Sequence, residues 1–270
     1  MTENPDFGNE FNVSASGRLA SDKKDKLHYL LTLENFRNPS SSDISELVCI
    51  LTNPAENEVI QTAVFQVLKI IGADAIEPLL NRWNTLNANS GTNEADLFGL
   101  TRLSYALSQI SETPTFVFEQ FLLSPFPQIR RSGLIGISNK TNADWQFDAF
   151  LFHIIQTDSD PETAFEAAAT LASGGDAVLP LFEQLLSVSL IRDGIITNEG
   201  INEDGTENFL NHKNQNSNMN PHVLGKIIEI SGNLGNFETI RLIKPYLSHP
   251  DPHISNPAAE AIQKIKSGKL

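Results

Sequence analysis

Apolar residues recur along this chain at the spacing of amphipathic helices, in segments separated by polar turns. They occupy positions 76, 79, 80 and 83 in one segment and positions 178, 179, 182, 185 and 186 in another. Because an α-helix has 3.6 residues per turn, this spacing places them on one helical face. No segment alternates strictly between apolar and polar residues, so the pattern predicts an all-α protein with essentially no strand.

Two short phrases recur and indicate that the helices come in repeated pairs. The phrase Gly-Ala-Asp-Ala-Ile-Glu-Pro-Leu-Leu around Asp74 returns around Asp176 as Gly-Gly-Asp-Ala-Val-Leu-Pro-Leu-Phe, 102 positions later, or about three repeats of 34 residues. In a second phrase a β-branched residue follows two positions after a proline, and it begins at Pro127, Pro161, Pro221 and Pro252. Repeats of this kind bury a core only by stacking on their neighbours.

The phrases predict an N-terminal helix near 23–36 and then about six helix pairs. Their first and second helices are expected near 42–52/56–71, 75–86/94–110, 113–123/128–139, 144–156/162–173, 177–190/221–234 and 237–248/253–266. Asp74 and Asp176 are expected to cap first helices, and the prolines to lie near the starts of second helices.

The domain organisation predicted from these phrases is a flexible N-terminal tail at 1–20 followed by one helical array at 21–270. The array is interrupted at about 192–220 by a segment rich in Asn, Gly and Glu. Long loops in compact arrays are usually functional or disordered, and this composition favours disorder.

The formal net charge of −14 argues against some classes of binding partner. An acidic chain is repelled by a phosphate backbone and by an anionic membrane surface, so we expect no nucleic-acid binding. No apolar stretch approaches the roughly 18 residues of a membrane span, and the N-terminal residues lack the apolar region of a secretory signal. We therefore expect a cytoplasmic protein, whose acidic surface serves either a basic protein partner or simple solubility.

Residues 252–262, Pro-His-Ile-Ser-Asn-Pro-Ala-Ala-Glu-Ala-Ile, resemble the HEAT repeat in the short form found in phycobilisome bilin lyases. That form reads Asp-Pro-x-Val-Arg-x-x-Ala-Ala-x-Ala-Leu-Gly. Asp160-Pro161 and Asp251-Pro252 match its opening, and Arg130 matches its arginine. The resemblance covers roughly 41–270 and implies a right-handed α-solenoid of about six HEAT-like pairs plus the N-terminal helix. We expect Arg130 to be structural, pairing with a neighbouring turn.

The same resemblance implies an alternative function, that of a subunit of a phycobilin lyase or chromophore-detaching factor acting on phycobiliproteins. A phycobilin, the cofactor in that case, would need a groove with aromatic walls and a cation for its propionates. Arg131 is the nearest candidate for that cation.

The sequence shows no cluster that declares a catalytic chemistry. Cys49 is the single cysteine and lies in an apolar run, so it is expected to be a small buried hydrophobe. None of the six histidines is followed by glutamate, whereas a di-iron hydroxylase of this architecture needs repeated His-Glu pairs. His222 and His253 follow equivalent prolines and could face each other to bind a metal, but we expect each to lie at a helix start on an exposed turn. We therefore predict a noncatalytic protein with no metal or cofactor.

The remaining candidate site is a surface. With Ile129, Thr163, Val223 and Ile254 as position one, positions 3, 7 and 10 of the second helices form a separate stripe. Second helices usually line the concave side in the HEAT family, so the stripe predicts a partner-binding surface that includes Lys69, Tyr105, Arg131, Ile135, Phe165 and Glu229. The alternative is a register error that makes Ile135 and Phe165 core. On this basis we predict a protein-binding scaffold or adaptor.

Overall fold

A computed structural model describes residues 39–88, 93–140, 147–192 and 219–268. Throughout these ranges the regular structure is helical and contains no strand, which confirms the predicted all-α class. The helices are α1 (Ser41–Leu51), α2 (Glu58–Ile71), α3 (Ala73–Ala88), α4 (Glu94–Ser108), α5 (Thr115–Leu122), α6 (Pro127–Ser138), α7 (Asp148–Thr157), α8 (Pro161–Ala172), α9 (Leu179–Arg192), α10 (Pro221–Leu234), α11 (Thr239–Ile243) and α12 (Pro252–Ser267). The predicted tail at 1–20, the helix at 23–36 and most of the insertion at 192–220 lie outside the described residues.

The second helices begin where the proline phrase predicts. α6, α8, α10 and α12 each start at the proline itself, whose missing N–H is not needed in the first turn. Before three of these helices, the preceding side chain accepts a hydrogen bond from a backbone N–H of the first turn, in the pairs Asp160–Thr163, Asn220–His222 and Asp251–His253. The proline and the capping side chain together fix each helix start.

The prediction that Asp74 and Asp176 cap first helices is wrong. α3 begins at Ala73, so Asp74 lies inside its first turn. Gly72, with φ of 68°, ends α2 and turns the chain directly into α3, which leaves no extended residue to act as an N-cap. Asp176 lies in a short 3-10 turn, Gly175–Val178, that precedes α9.

The chain divides into two compact units, Met1–Pro114 and Thr115–Leu270. In the first unit, α1 packs on α2 and α3, and α3 packs on α4. The core of this unit consists of fully buried aliphatic side chains, among them Leu47, Leu68, Leu79, Leu100 and Leu103. Each of these helices therefore buries one apolar face against its neighbours, as its sequence spacing predicts.

In the second unit, α5 packs on α6 and α7 on α8, and the second helices α6, α8, α10 and α12 contact one another in chain order. Small residues permit these close contacts. A Cβ on Gly136 would enter the ring of Phe118, and one on Gly232 would collide with Ala261 of α12. The row α6–α8–α10–α12 is thus held by packing on one side and presents its other side to solvent.

Candidate partner-binding surface

Charged and aromatic side chains join neighbouring second helices on the solvent side of the second unit. Arg131 of α6 forms an ion pair with Glu162 of α8, and the two side chains are 30% and 73% exposed. Arg131 is the fifth residue of α6 and Glu162 is the second residue of α8. The ion pair therefore joins the N-terminal part of one second helix to the first turn of the next. The guanidinium of Arg131, the nearest candidate for a cation that would bind bilin propionates, therefore points towards Glu162.

The next junction, between α8 and α10, combines an aromatic ring with a cation. The Lys226 Nζ atom lies 5.4 Å from the centroid of the Phe165 ring. The same ammonium donates hydrogen bonds of 3.2 and 3.1 Å to the two carboxylate oxygens of Glu229, one helical turn further along α10. The ammonium therefore contacts both the Glu229 carboxylate and the face of the Phe165 ring, which attracts cations at this distance. We call Arg131, Glu162, Phe165, Lys226 and Glu229 the second-helix face.

Ile135 and Phe165 are half-buried, and neither belongs to the fully buried core. Ile135 lies one turn after Arg131 on α6, beside the second-helix face. Half-burial is the state expected of an apolar side chain at the edge between packed helices and solvent.

Two predicted residues lie in the first unit and form a surface of their own. Tyr105 of α4 is 42% exposed and stacks on Phe65 of α2, with ring centroids 5.2 Å apart and planes 20° from parallel. Lys69 is exposed one turn after Phe65 on the same helix. Phe65 lies outside the predicted stripe, and its contact keeps the Tyr105 ring flat against the helix pair.

The predicted stripe fails at two positions of α10. Gly225 and Gly232, at register positions 3 and 10, are buried in the contact with α12. A Cβ on Gly225 would collide with the backbone carbonyl oxygen of His253. The small distance between α10 and α12 buries these two glycines, and the positions of residues along one helix do not reveal that distance.

His222 and His253 are exposed at the starts of α10 and α12, as predicted. Their rings also lie close together, with centroids 4.1 Å apart and planes inclined by 43°. The close approach of the two helices at Gly225 brings these first turns together.

The pKa of Asp160, which caps α8 beside this surface, is held below the ordinary value for an aspartate. Partial burial opposes ionisation, but hydrogen bonds from Thr163 and the charges of Arg131 and Arg130 outweigh it. The Thr163 backbone N–H and hydroxyl donate to Asp160 Oδ2 at 2.9 and 2.6 Å. The start of α8, which carries Glu162, is therefore anchored by a charged cap.

The prediction that Cys49 is buried is wrong, since the side chain is exposed. In α1 the buried residues Leu47, Val48 and Leu51 face the core, and helical periodicity turns Cys49 away from them. Cys49 instead lines a groove of about 830 Å³ between α1 and α3, together with Arg82. The continuous apolar run in the sequence concealed this difference between faces.

Within the described ranges, no group of three or more His, Cys, Asp or Glu side chains is arranged to hold a metal ion. None of the helices described has the length and apolar character needed to cross a membrane.

No protein-family model matches this chain, and none of the curated proteins matches it. The resemblance to HEAT-like repeats therefore rests on the recurring phrases and the helix pairs described above.

Proposed function

We propose that this chain is a noncatalytic scaffold or adaptor of the right-handed α-solenoid class, built from HEAT-like helix pairs, which binds another protein through the second-helix face. The observation that carries the proposal is the row α6–α8–α10–α12. On its solvent side, the Arg131–Glu162 and Phe165–Lys226 contacts link neighbouring helices. Such a row offers a continuous surface in which side chains from several helices act on one partner.

The residue types of this surface suit a protein partner. Arginine and aromatic side chains contribute most of the binding free energy at protein interfaces, and they work best when packing has already fixed their conformation. Phe165 is half-buried against Lys226, and Arg131 is held by Glu162. Both would enter an interface with part of their conformational entropy already lost.

The net charge of the whole chain favours a partner with a basic patch. The second-helix face itself pairs two cations, Arg131 and Lys226, with two carboxylates, Glu162 and Glu229. The net charge of −14 attracts a cationic protein surface over a longer range and speeds its association at low salt. The same field repels nucleic acid and anionic lipid, which argues against those classes of partner.

The proposal is tested by capture with the full chain. Wild type, a double variant with Arg131→Ala and Phe165→Ala, and a control with Arg241→Ala are immobilised in parallel in native extract, and retained proteins are identified by mass spectrometry. Arg241 is 83% exposed on α11, outside the second-helix face, so it offers an equally accessible arginine. The partner is expected with wild type and with the control, and absent from the double variant.

A protein captured in this pattern is then purified and its Kd measured for all three chains. Loss of two interface anchors is expected to weaken binding about a thousandfold, since hot-spot truncations each cost about 2 kcal/mol and about 1.4 kcal/mol corresponds to a tenfold change in Kd. Equal Kd values for wild type and the double variant would remove the second-helix face as the binding surface.

A further inference from the structure

His222 and His253 occupy the same place in two successive second helices. Each is the second residue of its helix, after Pro221 and Pro252, and each donates its backbone N–H to a capping side chain. The caps, Asn220 and Asp251, fix the first turns and so fix the Cα positions from which the two imidazoles extend.

The distance between the two rings follows from the packing of α10 on α12. Gly225 lies one turn after His222 and touches the backbone carbonyl of His253, while Gly232 touches Ala261 two turns further on. Without a Cβ at either position, the helix axes approach more closely than side chains ordinarily allow. The ring centroids consequently lie 4.1 Å apart.

Both rings are accessible to a ligand. The two histidines are exposed, and no hydrogen bond joins either ring to another side chain in the described part of the molecule. A neutral imidazole has one nitrogen with a lone pair. In an exposed ring without hydrogen-bond partners, that lone pair is available to an ion.

We propose that His222 and His253 together bind a divalent transition-metal ion of the Cu²⁺, Ni²⁺ and Zn²⁺ group. Imidazole nitrogen is a preferred ligand for these ions, and affinity rises from Ni²⁺ to Cu²⁺ and falls again at Zn²⁺. With metal–nitrogen bonds of about 2.0 Å, two imidazoles on one tetrahedral ion have ring centroids roughly 5 Å apart. Binding therefore requires the rings, now 4.1 Å apart at their centroids, to separate and each to turn a nitrogen towards the ion, which the rotation of two exposed side chains permits.

The site has two protein ligands, and water completes the coordination. No third His, Cys, Asp or Glu joins the pair within the described residues, so the ion is held as a surface chelate rather than in a closed structural site. Chelation by two side chains fixed at one distance binds more tightly than a single imidazole, because the second bond forms within the same molecule.

The experiment uses the full chain with CuCl₂ and, separately, ZnCl₂. Isothermal titration gives the affinity, and the electron paramagnetic resonance spectrum of the Cu²⁺ form reports how many nitrogens coordinate the ion. Wild type is expected to show two nitrogen ligands. His222→Ala and His253→Ala are each expected to weaken binding about tenfold or more and to leave one nitrogen, because the chelate is lost.

His153→Ala is the matched control, since His153 is an exposed histidine on α7 of the same unit. It should bind both ions like wild type. Circular dichroism melts establish that every variant is folded, which is expected because all three side chains are exposed. Wild-type affinity in the double variant with His222→Ala and His253→Ala, or an unchanged two-nitrogen spectrum in either single variant, would overturn the proposal.

Discussion

Arg130 and Asp158 form a two-point ion pair between the turns of successive helix pairs. Arg130 donates from Nε to Asp158 Oδ2 at 2.8 Å and from Nη2 to Oδ1 at 2.6 Å. A third bond, from Nη1 to the carbonyl oxygen of Ser124 at 2.9 Å, attaches the same guanidinium to the α5–α6 turn. The side chains are only 12% and 5% exposed, so water screens the pair poorly. The contact sets the position of the α7–α8 turn and, through it, the start of α8.

Replacing Arg130 by methionine should lower the free energy of unfolding by about 3–5 kcal/mol, because the Asp158 carboxylate is left buried without its cation. The Ser124 carbonyl also loses its donor. Urea denaturation at pH 7, followed by circular dichroism, measures the change as a shift of the midpoint at constant slope.

Arg241→Met is the control for this measurement. The Arg241–Glu238 pair is 3.5 Å long and its side chains are 83% and 79% exposed, so its removal should cost less than about 1 kcal/mol. Similar losses in the two variants would contradict the assignment of Arg130 as the stabilising contact between turns.

The structural role of Arg130 was predictable from its place in the repeat phrase, but its partner was not. Asp158 lies 28 residues away, and Asp160 is an equally acidic residue in the same turn. Which carboxylate faces the guanidinium depends on the turn geometry, where Asp160 is already engaged as the cap of α8. The sequence predicts that a carboxylate in that turn pairs with Arg130, and the packing of the helix pairs determines that it is Asp158.

Gly225→Ala should destabilise the chain by about 1–3 kcal/mol, because the added Cβ collides with the backbone carbonyl of His253 and backbone cannot rotate aside. Separation of α10 from α12 should also increase the distance between the His222 and His253 rings. Thermal unfolding measures the first effect. Titration with ZnCl₂ measures the second, as a weaker affinity than in wild type.

Gly99→Ala provides a matched glycine in the middle of α4. The nearest atom to its added Cβ is the tip of the Leu86 side chain at 2.7 Å, which can rotate, and the next is Thr52 Cβ at 3.4 Å. Since alanine is favoured over glycine inside a helix by up to about 1 kcal/mol, this variant should be neutral or slightly more stable. Equal destabilisation by both substitutions would show that the α10–α12 contact is not specially close.

Asp160 should make the stability depend on pH. Its pKa in the folded chain is lower than in the unfolded chain, so its stabilisation is complete above the unfolded pKa of about 3.9 and is lost as the pH falls through the folded value. Asp160→Ala should therefore cost about 0.5–2 kcal/mol at pH 7, typical of a lost N-cap. The cost should shrink as the pH is lowered from 5 towards 2, measured by urea denaturation across that range.

Asp160→Asn separates the charge of this cap from its hydrogen bonds. The amide oxygen still accepts from the Thr163 backbone N–H, while the attraction to Arg131 and Arg130 is removed. This variant should lie closer in stability to wild type than Asp160→Ala at pH 7. A difference between wild type and Asp160→Ala that stays constant from pH 7 to pH 2 would contradict the role of the ionised carboxylate.

Helical periodicity placed Arg131, Phe165 and Glu229 in the predicted stripe, but it missed the other two residues of the second-helix face. Glu162 and Lys226 each lie three positions before a predicted residue, Phe165 and Glu229, so they share its side of the helix. A search for charged residues at that spacing would have found them. It would not have shown that Arg131 reaches Glu162, since that contact depends on the distance between α6 and α8. The same dependence explains why Gly225, in the stripe by register, is buried.

The Arg131–Glu162 pair should contribute little to folding, in contrast to Arg130–Asp158, because both side chains are substantially exposed. A double-mutant cycle with Arg131→Ala, Glu162→Ala and the combination should give a coupling energy of about 0.2–1 kcal/mol. The coupling should decrease between about 0.05 M and 1 M NaCl, as the Debye length falls from roughly 14 Å to 3 Å. Urea midpoints at the two salt concentrations measure this coupling energy.

A coupling energy above about 2 kcal/mol that does not change with salt would mean that the pair is part of the folded core. A small, salt-sensitive coupling energy means that Arg131 can be replaced without unfolding the chain. A loss of partner binding in the Arg131 variant is then caused by the change in the binding surface and not by unfolding.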